Sequence, residues 1–314
     1  MRWSFFVVLF LGSRVVWALE TPASLNVAIQ DVNVKAALEQ WQPLSEFLQD
    51  HHQVKLTLHI ESQSEKLKSM VEEGKIDLLM DTLMPELAVN GSSRLEPAFI
   101  AWKAGVKEYE GCLVTRRDQT LSVNELPGHV LGFEDPLSTA SFALPFSTLL
   151  QDGPVLDRLK LVDLSKRKRQ NKLRSEKEAL ITMPRDPAAI HYVFTGTDET
   201  SIHWLKRGYL DVAGMSCKTA RKDAGLRILS QSPQVPRAIV SLRRDLESDI
   251  KRRLAAAFDS LHEGHPALEK LGKVTRISKM TGAETAALSE LTPRLRRILD
   301  KVRNDQKLLE EGAQ

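Results

Sequence analysis

Leu25, Val27 and Ile29 alternate with their neighbours at the period of a half-buried strand, so residues 25–29 read as a first strand. The period then changes. Val34, Leu38, Trp41, Leu44 and Leu48 recur at helical spacing, in a helix perturbed by Pro43. Leu56, Leu58 and Ile60 return to alternation. Ser62 and Glu65 have capping-box spacing ahead of Leu67, Met70 and Val71, and Gly74 closes that helix. Residues 76–80 form the next strand. This β-α-β-α-β order predicts a doubly wound sheet of parallel strands.

The pattern recurs downstream. A strand at 130–133 feeds a helix through Ser138. A strand at 191–194 feeds the loop 195–200 and a helix carrying Ile202 and Leu205; Gly208 ends it, and 209–213 is a strand. Gly74-Lys-Ile-Asp77 and Gly208-Tyr-Leu-Asp211 echo one another as helix, glycine and strand with an Asp at the strand's start, which suggests two lobes built on one plan. Residues 250–262, 265–271 and 284–311 are helical by pattern. The last carries Leu288, Leu291, Leu295, Ile298, Leu299 and Val302 on one side and is expected to dock on the first lobe.

The amino terminus changes the picture of where the chain works. A short basic start, an apolar run over 5–12 and the Val16-Trp-Ala18 pattern read as a signal peptide over 1–18, cleaved before Leu19, with the periplasm as destination. The apolar run is too short for a membrane span, which needs ~20 residues. Loss of Arg2 and Arg14 takes the formal charge of the 314-residue chain from +3 to +1, and such a balance supplies no global field for nucleic acid or a membrane surface. What remains is long enough for one large domain or two lobes. The basic run 166–172 reads as a solvated loop. Cys112 and Cys217 form neither a disulfide framework nor a metal-ligand spacing, and sequence alone leaves open whether they pair.

The candidate chemistry lies at 130–145. An apolar strand runs into an acidic turn, and Ser138, Thr139 and Ser141 then open a helix. Free N–H groups and the positive end of the helix dipole attract anions there. The same residues also serve as an ordinary N-cap.

Several segments in this order resemble one family: Trp41-Gln-Pro-Leu44, Gly74-Lys-Ile-Asp77, Glu134-Asp-Pro-Leu-Ser-Thr-Ala-Ser141, Phe194-Thr-Gly-Thr-Asp-Glu199, Gly208-Tyr-Leu-Asp-Val-Ala-Gly214 and Ser232-Pro-Gln-Val-Pro-Arg237. Together they are similar to the periplasmic phosphate/phosphite/phosphonate-binding proteins of ABC transporters, over about residues 25–271. The resemblance implies a type II periplasmic binding protein: α/β, two lobes, each a doubly wound, mostly parallel sheet flanked by helices, with the ligand cleft between them. The lobes are expected at 19–108 with 228–314, and at 109–227. The family implies no catalysis, no cofactor and no metal, a monomer, and a partner ABC permease; a membrane sensor kinase is the alternative partner. Ser138 and Thr139 match the family's Ser-Thr-Ser-Gly motif, whereas Ala140 replaces a hydroxyl and Ser141 replaces the glycine.

In open α/β sheets ligands bind beyond the carboxyl ends of the strands. The candidate contacts are therefore Gln30, Asp81, Thr82, Ser138, Thr139, Ser141, Thr197, Asp198, Glu199 and Ser216, with Tyr109 at the first crossing between lobes. Asp77 and Asp211 fall on the far side and read as structural. The cleft loops carry acids and no Arg or Lys, so a zwitterion such as an aminophosphonate is expected, its positive group facing Asp198 and Glu199. An enzyme is the weaker reading: Gly-x-Ser-x-Gly is absent, Ser165-x-x-Lys168 lacks companion motifs, and His262-x-x-His265 lacks a third ligand.

Overall fold

The computed structural model describes residues 22–91, 94–150 and 156–311; the segment 1–18 expected to be a signal peptide lies outside them. From the amino end come β1 (Ala23–Gln30), α1 (Val34–His52), β2 (Val54–Glu61), α2 (Ser64–Glu72), β3 (Leu78–Asp81), α3 (Leu83–Val89) and β4 (Leu95–Lys103). The chain crosses through β5 (Glu108–Tyr109) to β6 (Gly111–Arg116) and β7 (Val130–Phe133). A turn of π-helix, Thr139–Ala143, runs into α4 (Leu144–Thr148). There follow β8 (Leu159–Leu161), α5 (Leu164–Gln170), α6 (Glu176–Ile181), β9 (Ile190–Phe194), α7 (Asp198–Lys206), β10 (Val212–Ser216), α8 (Cys217–Lys222) and β11 (Leu226–Gln231). The return passes through β12 (Val235–Pro236) to β13 (Ala238–Arg243), α9 (Ser248–Ser260), β14 (Val274–Lys279) and α10 (Gly282–Glu311).

These strands make two six-stranded sheets, ordered β14-β4-β13-β3-β1-β2 and β11-β6-β10-β7-β9-β8, joined by the β5–β12 ribbon. In the first, β1 lies parallel between β2 and β3, while β13, β4 and β14 add antiparallel pairs. In the second, β8, β9, β7 and β10 are parallel and β6 and β11 antiparallel. β11 stays hydrogen-bonded in the second sheet as far as Gln231, past the expected return at 228.

The Asp echo has one physical cause in both lobes. The Asp77 carboxylate accepts the Asn26 N–H (2.8 Å) while the Asp77 N–H donates to the Asn26 carbonyl (2.8 Å). Asp211 does the same with Val130, at 2.8 and 3.0 Å. Each carboxylate also meets an arginine, Arg243 at 2.9 Å and Arg185 at 2.8 Å. Each Asp thus satisfies the N–H of the residue just before pairing with the neighbouring parallel strand begins, at Val27 and at Leu131, a group that would otherwise be left unpaired there. Gly74 and Gly208, at φ +75° and +73°, end the preceding helices in the left-handed region.

Some local expectations are corrected. α2 begins at Ser64 behind Gln63, so Ser62 and Glu65 form no capping box; Glu65 instead meets Arg303 of α10 at 2.9 Å. The basic run 166–172 is largely helical, because Asp163 caps α5 through the Lys166 N–H, and Arg167 binds the carbonyls of Ala179 and Thr182. The strand expected at 209–213 begins at Val212, and the helix expected at 265–271 is one short 3₁₀ turn capped by His265.

The last helix does not dock on the first lobe alone. Leu288, Leu291, Leu295, Ile298, Leu299 and Val302 join one apolar core with Met84 and Leu87 of α3 and with Phe142 and Phe146 of the second lobe. Polar ties repeat the bridge. Arg296 and Arg303 donate to the carbonyls of Gly91 and Ala88, whereas Asp305 accepts from Tyr192 (2.8 Å) and Lys166 donates to the Leu309 carbonyl (2.6 Å).

Glu86 sits under this helix, 2 % exposed. Its carboxylate accepts from Asn90 (3.0 Å) and Ser241 (2.9 Å). Burial nonetheless raises its pKa above the usual carboxylate value. An acid with a raised folded pKa stabilises fully below its unfolded pKa and loses that contribution as pH rises through the folded one. Glu86→Gln keeps both hydrogen bonds and should raise Tm by about 2–4 °C at pH 8 and leave it unchanged at pH 4. Equal effects at both pH values would show that ionisation of Glu86 does not matter.

Candidate ligand-binding cleft

The two sheets turn their working edges toward each other. β13 is antiparallel to both β3 and β4, so β4 points the same way as β3. Gln30, Asp81 and Lys103 therefore end β1, β3 and β4 at one edge, and Arg237 precedes β13 there. In the second sheet β7, β9 and β10 end at Phe133, Phe194 and Ser216. Ser216 pairs with Gly111, which brings Tyr109 and Glu110 to that edge.

The hydroxyl segment is set by packing. The Ser138 side chain accepts the Ser141 N–H (3.2 Å) as an N-cap, while its own O–H donates to Glu134 (2.7 Å). The π-turn lies directly on the sheet because β6 and β10 present glycines beneath it. A Cβ on Gly214 would collide with the Ser141 carbonyl and the Phe133 ring, and one on Gly111 with Pro145 and the Ala140 carbonyl. π-Turns concentrate at functional sites, since they re-aim side chains without ending the helix. Here the side chain re-aimed is Thr139. Its Oγ1 accepts the Met84 N–H of the first lobe (2.9 Å) and donates to Thr82 Oγ1 (3.3 Å). Tyr109, on the crossing ribbon, faces the same hydroxyl, and burial pushes its phenol up to about 12.

Charge is distributed unevenly along this line. Asp81, which accepts the Thr82 N–H (2.6 Å), is raised by burial and held down by that bond and by Lys103. Lys103 is lowered by burial and by Arg237, and Asp81 opposes the shift. The Arg237 guanidinium lies over the Tyr109 ring, 4.6 Å from its centroid. The expectation that no cation offsets the cleft acids is thereby corrected: Lys103 and Arg237 arrive from the antiparallel strands, not from the loops considered. At the other end, Glu134 is raised by burial and by its neighbours Asp198, Asp135 and Glu199, and Asp198 by burial, Glu199 and Asp135, with Ser141 opposing.

The candidate residues thus divide. Asp81, Thr82, Tyr109 and Thr139 meet at the crossing; Ser138, Ser141 and Asp198 meet beside Glu134. One oxygen of Asp198, the side-chain amide oxygen of Gln30 and the Tyr109 hydroxyl are buried without a hydrogen-bond partner among the described residues. Ser216 caps α8 through the Thr219 N–H. Thr197 and Glu199 are exposed, and Thr197 caps α7 through the Thr200 N–H. Lys103 and Arg237 were not among the candidates. The apolar run of β4 shows no alternation, yet read as a strand it would have put Lys103 at a carboxyl end.

Cys112 and Cys217, the alternative left open, are joined as a disulfide with Cα atoms 5.0 Å apart, which ties the start of α8 to β6. Among the described residues no group of three or more His, Cys, Asp or Glu is arranged to hold a metal ion. His265 accepts the Ala267 N–H and packs on Phe47; Ser165 donates to Glu176. No described helix is long and apolar enough to cross a membrane.

The fold has known counterparts. XAC2383 from Xanthomonas citri, solved bound to ATP, superposes with a TM-score of 0.70 at 17% identity, covering 89% of this chain and 99% of that one. PhnD1 from Prochlorococcus marinus, in complex with methylphosphonate, gives 0.50 at 14% identity over 89% and 99%. A binding component of an ABC phosphonate transporter from Pseudomonas aeruginosa, PA3383, gives 0.51 at 12% over 93% and 100%. At these identities the likeness is one of fold, that of type II periplasmic binding proteins. No curated protein sequence matches the chain. The family described as the periplasmic substrate-binding protein of phosphonate ABC transporters matches residues 28–285. With that match covering most of its length, and the two-lobed α/β fold agreeing, the chain belongs to the phosphonate-type periplasmic substrate-binding proteins of ABC transporters.

Proposed function

We propose that the protein, exported and cleaved before Leu19, works in the periplasm as a monomer, captures a small phosphonate-like oxyanion or zwitterion between its lobes and delivers it to an ABC permease. One observation carries the reading: a single hydroxyl of the second lobe, Thr139 Oγ1, bonds Thr82 and the Met84 N–H of the first lobe, and the buried Tyr109 hydroxyl at the crossing is left without a hydrogen-bond partner among the described residues. A solute reaching that hydroxyl would touch both lobes at once. The methylphosphonate complex of a protein of the same fold supports the ligand class. Asp198, with a buried unpartnered oxygen, suits a cationic substituent better than exposed Glu199 does.

The test is calorimetry with methylphosphonate and aminoethylphosphonate. A hydrogen bond to a charged group contributes ~1.5–3 kcal/mol, so Ser138→Ala with Thr139→Val should weaken binding at least about tenfold. Unchanged affinity in a folded variant would leave the hydroxyls as a helix cap alone.

A further inference from the structure

The near-neutral total of the chain hides a local excess. Across α5 and α6, residues 164–181 hold seven Lys or Arg and two Glu, a formal +5. The cleaved chain totals +1, so everything outside this segment sums to −4. The excess has a definite place. α5 and α6 form the crossover from β8 to β9, and β8 is the outer strand of the second sheet, at the edge opposite β11 and β6. No candidate residue of the cleft lies in this segment.

The acids within it are already occupied. Glu176 accepts from Ser165, and Glu178 accepts the Arg174 N–H (2.8 Å). Among the described residues no ion pair engages any of the seven cations. Lys166 and Arg167 donate to backbone carbonyls, and Lys177 lies over the Tyr209 ring, 4.4 Å from its centroid. Arg169, Lys172, Arg174 and Lys177 are exposed. Helix stability accounts for only part of this. The cations in the last turn of α5 suit the helix dipole, but Lys172 and Arg174 stand outside both helices, and Lys177 is in the first turn of α6, where the dipole disfavours a cation. Like charges gathered without counter-charges repel one another, and an external anionic surface relieves that repulsion.

Aliphatic side chains join them. Ile181, the last residue of α6, is 55 % exposed, and Leu308 is 65 % exposed. Leu308 lies in the stretch of α10 that Lys166 ties to α5 through the Leu309 carbonyl.

We infer that this edge of the second lobe docks on an anionic lipid surface, with Arg169, Lys172, Arg174 and Lys177 among the head-group phosphates. The inference goes beyond the proposed function and uses none of its ligand contacts. A lipid surface fits the pattern better than a folded acidic partner. The cations sit on long side chains spread over two short helices and the turn between them, so they meet a density of charge, not a fixed shape. A layer with phosphates above and acyl chains beneath also accepts exposed Ile and Leu beside Lys and Arg. The negative remainder of the chain is repelled by the same surface, which orients the molecule with this edge down.

Vesicle sedimentation tests this, with the chain from Leu19 and no added solute. Each Lys or Arg at an anionic surface strengthens attachment about fivefold, the equivalent of ~1 kcal/mol. Binding to phosphatidylglycerol vesicles should exceed binding to phosphatidylcholine vesicles at least about a hundredfold, and it should fall as salt is added. Replacing Arg169, Lys172 and Arg174 together by Gln should weaken it about a hundredfold. Replacing Lys55, Lys270 and Lys279, all exposed on the first lobe, removes the same total charge and should leave it nearly unchanged. Absent binding to phosphatidylglycerol, or equal binding to both lipids, overturns the inference. So does equal weakening in the two triple variants, which would reduce the effect to net charge. Binding to soluble polyglutamate but not to phosphatidylglycerol overturns it in favour of an acidic protein partner. The Arg169/Lys172/Arg174 variant should still bind methylphosphonate as the wild type does, so failure at the vesicle and failure at the cleft are read separately.

Discussion

Replacing Cys112 and Cys217 together by alanine should lower the free energy of unfolding by about 2–5 kcal/mol. The bond closes a loop with a sequence separation of 105 residues. Cross-linking so long a loop removes much of the unfolded chain's freedom, and the chain-entropy account puts that near 4.7 kcal/mol. Both side chains are fully buried, so the variant loses packing too. The effect should also reach the cleft, because Cys217 follows Ser216 and its N–H donates to the Glu110 carbonyl (3.1 Å). Denaturant titration of the oxidised wild type, the reduced wild type and the double variant checks this. Three coincident midpoints would show that the cross-link contributes nothing to stability.

Gly214→Ala should cost roughly 1–3 kcal/mol, the range for overpacking, and should abolish ligand capture out of proportion to that cost. The added methyl meets a backbone carbonyl and an aromatic ring, neither of which is a flexible side-chain end. Phe133 cannot yield readily, since Phe142, Phe146 and Tyr192 pack around it with ring centroids 5.1–6.4 Å away. The π-turn must therefore lift, and Thr139 moves off Met84 and Thr82. Gly282→Ala is the control: its φ is not positive, and an added Cβ there would meet nothing within 4 Å. A melting scan and a methylphosphonate titration on both variants decide the matter. Full affinity in folded Gly214→Ala would show that the glycine does not position the hydroxyl segment.

What the sequence disclosed, and what it hid, follows from how each strand is covered. β1, β2, β7 and β9 lie beside helices of clear period, so the two parallel halves and their Asp echo are readable from spacing alone. β4 and β13 are apolar along most of their length, and a run without alternation reads equally as strand or buried helix. β14 has only two buried positions, and its burial pattern does not follow a period of two. With those strands unread, the site was assembled from loop residues and one crossing residue, Tyr109. That is why the hydroxyls and acids were found while Lys103 and Arg237, whose role depends on register across an antiparallel pair, were not. Thr197 and Glu199 were chosen because their loop follows a strand; the structure spends Thr197 on the cap and turns Glu199 to solvent.

The bridge made by α10 has a further consequence for how the chain is born. The second sheet is assembled from one continuous stretch, Gly111 to Gln231, and needs no later residue to complete itself, cross-link included. The first sheet is begun earlier and cannot close until β13, its central strand, emerges more than a hundred residues later. The lobe that starts first thus finishes last, and the contact between lobes is sealed only when residues 288–302 arrive. A chain cut short before that point would hold a finished second lobe beside an open first one, without the clasp that makes them one molecule.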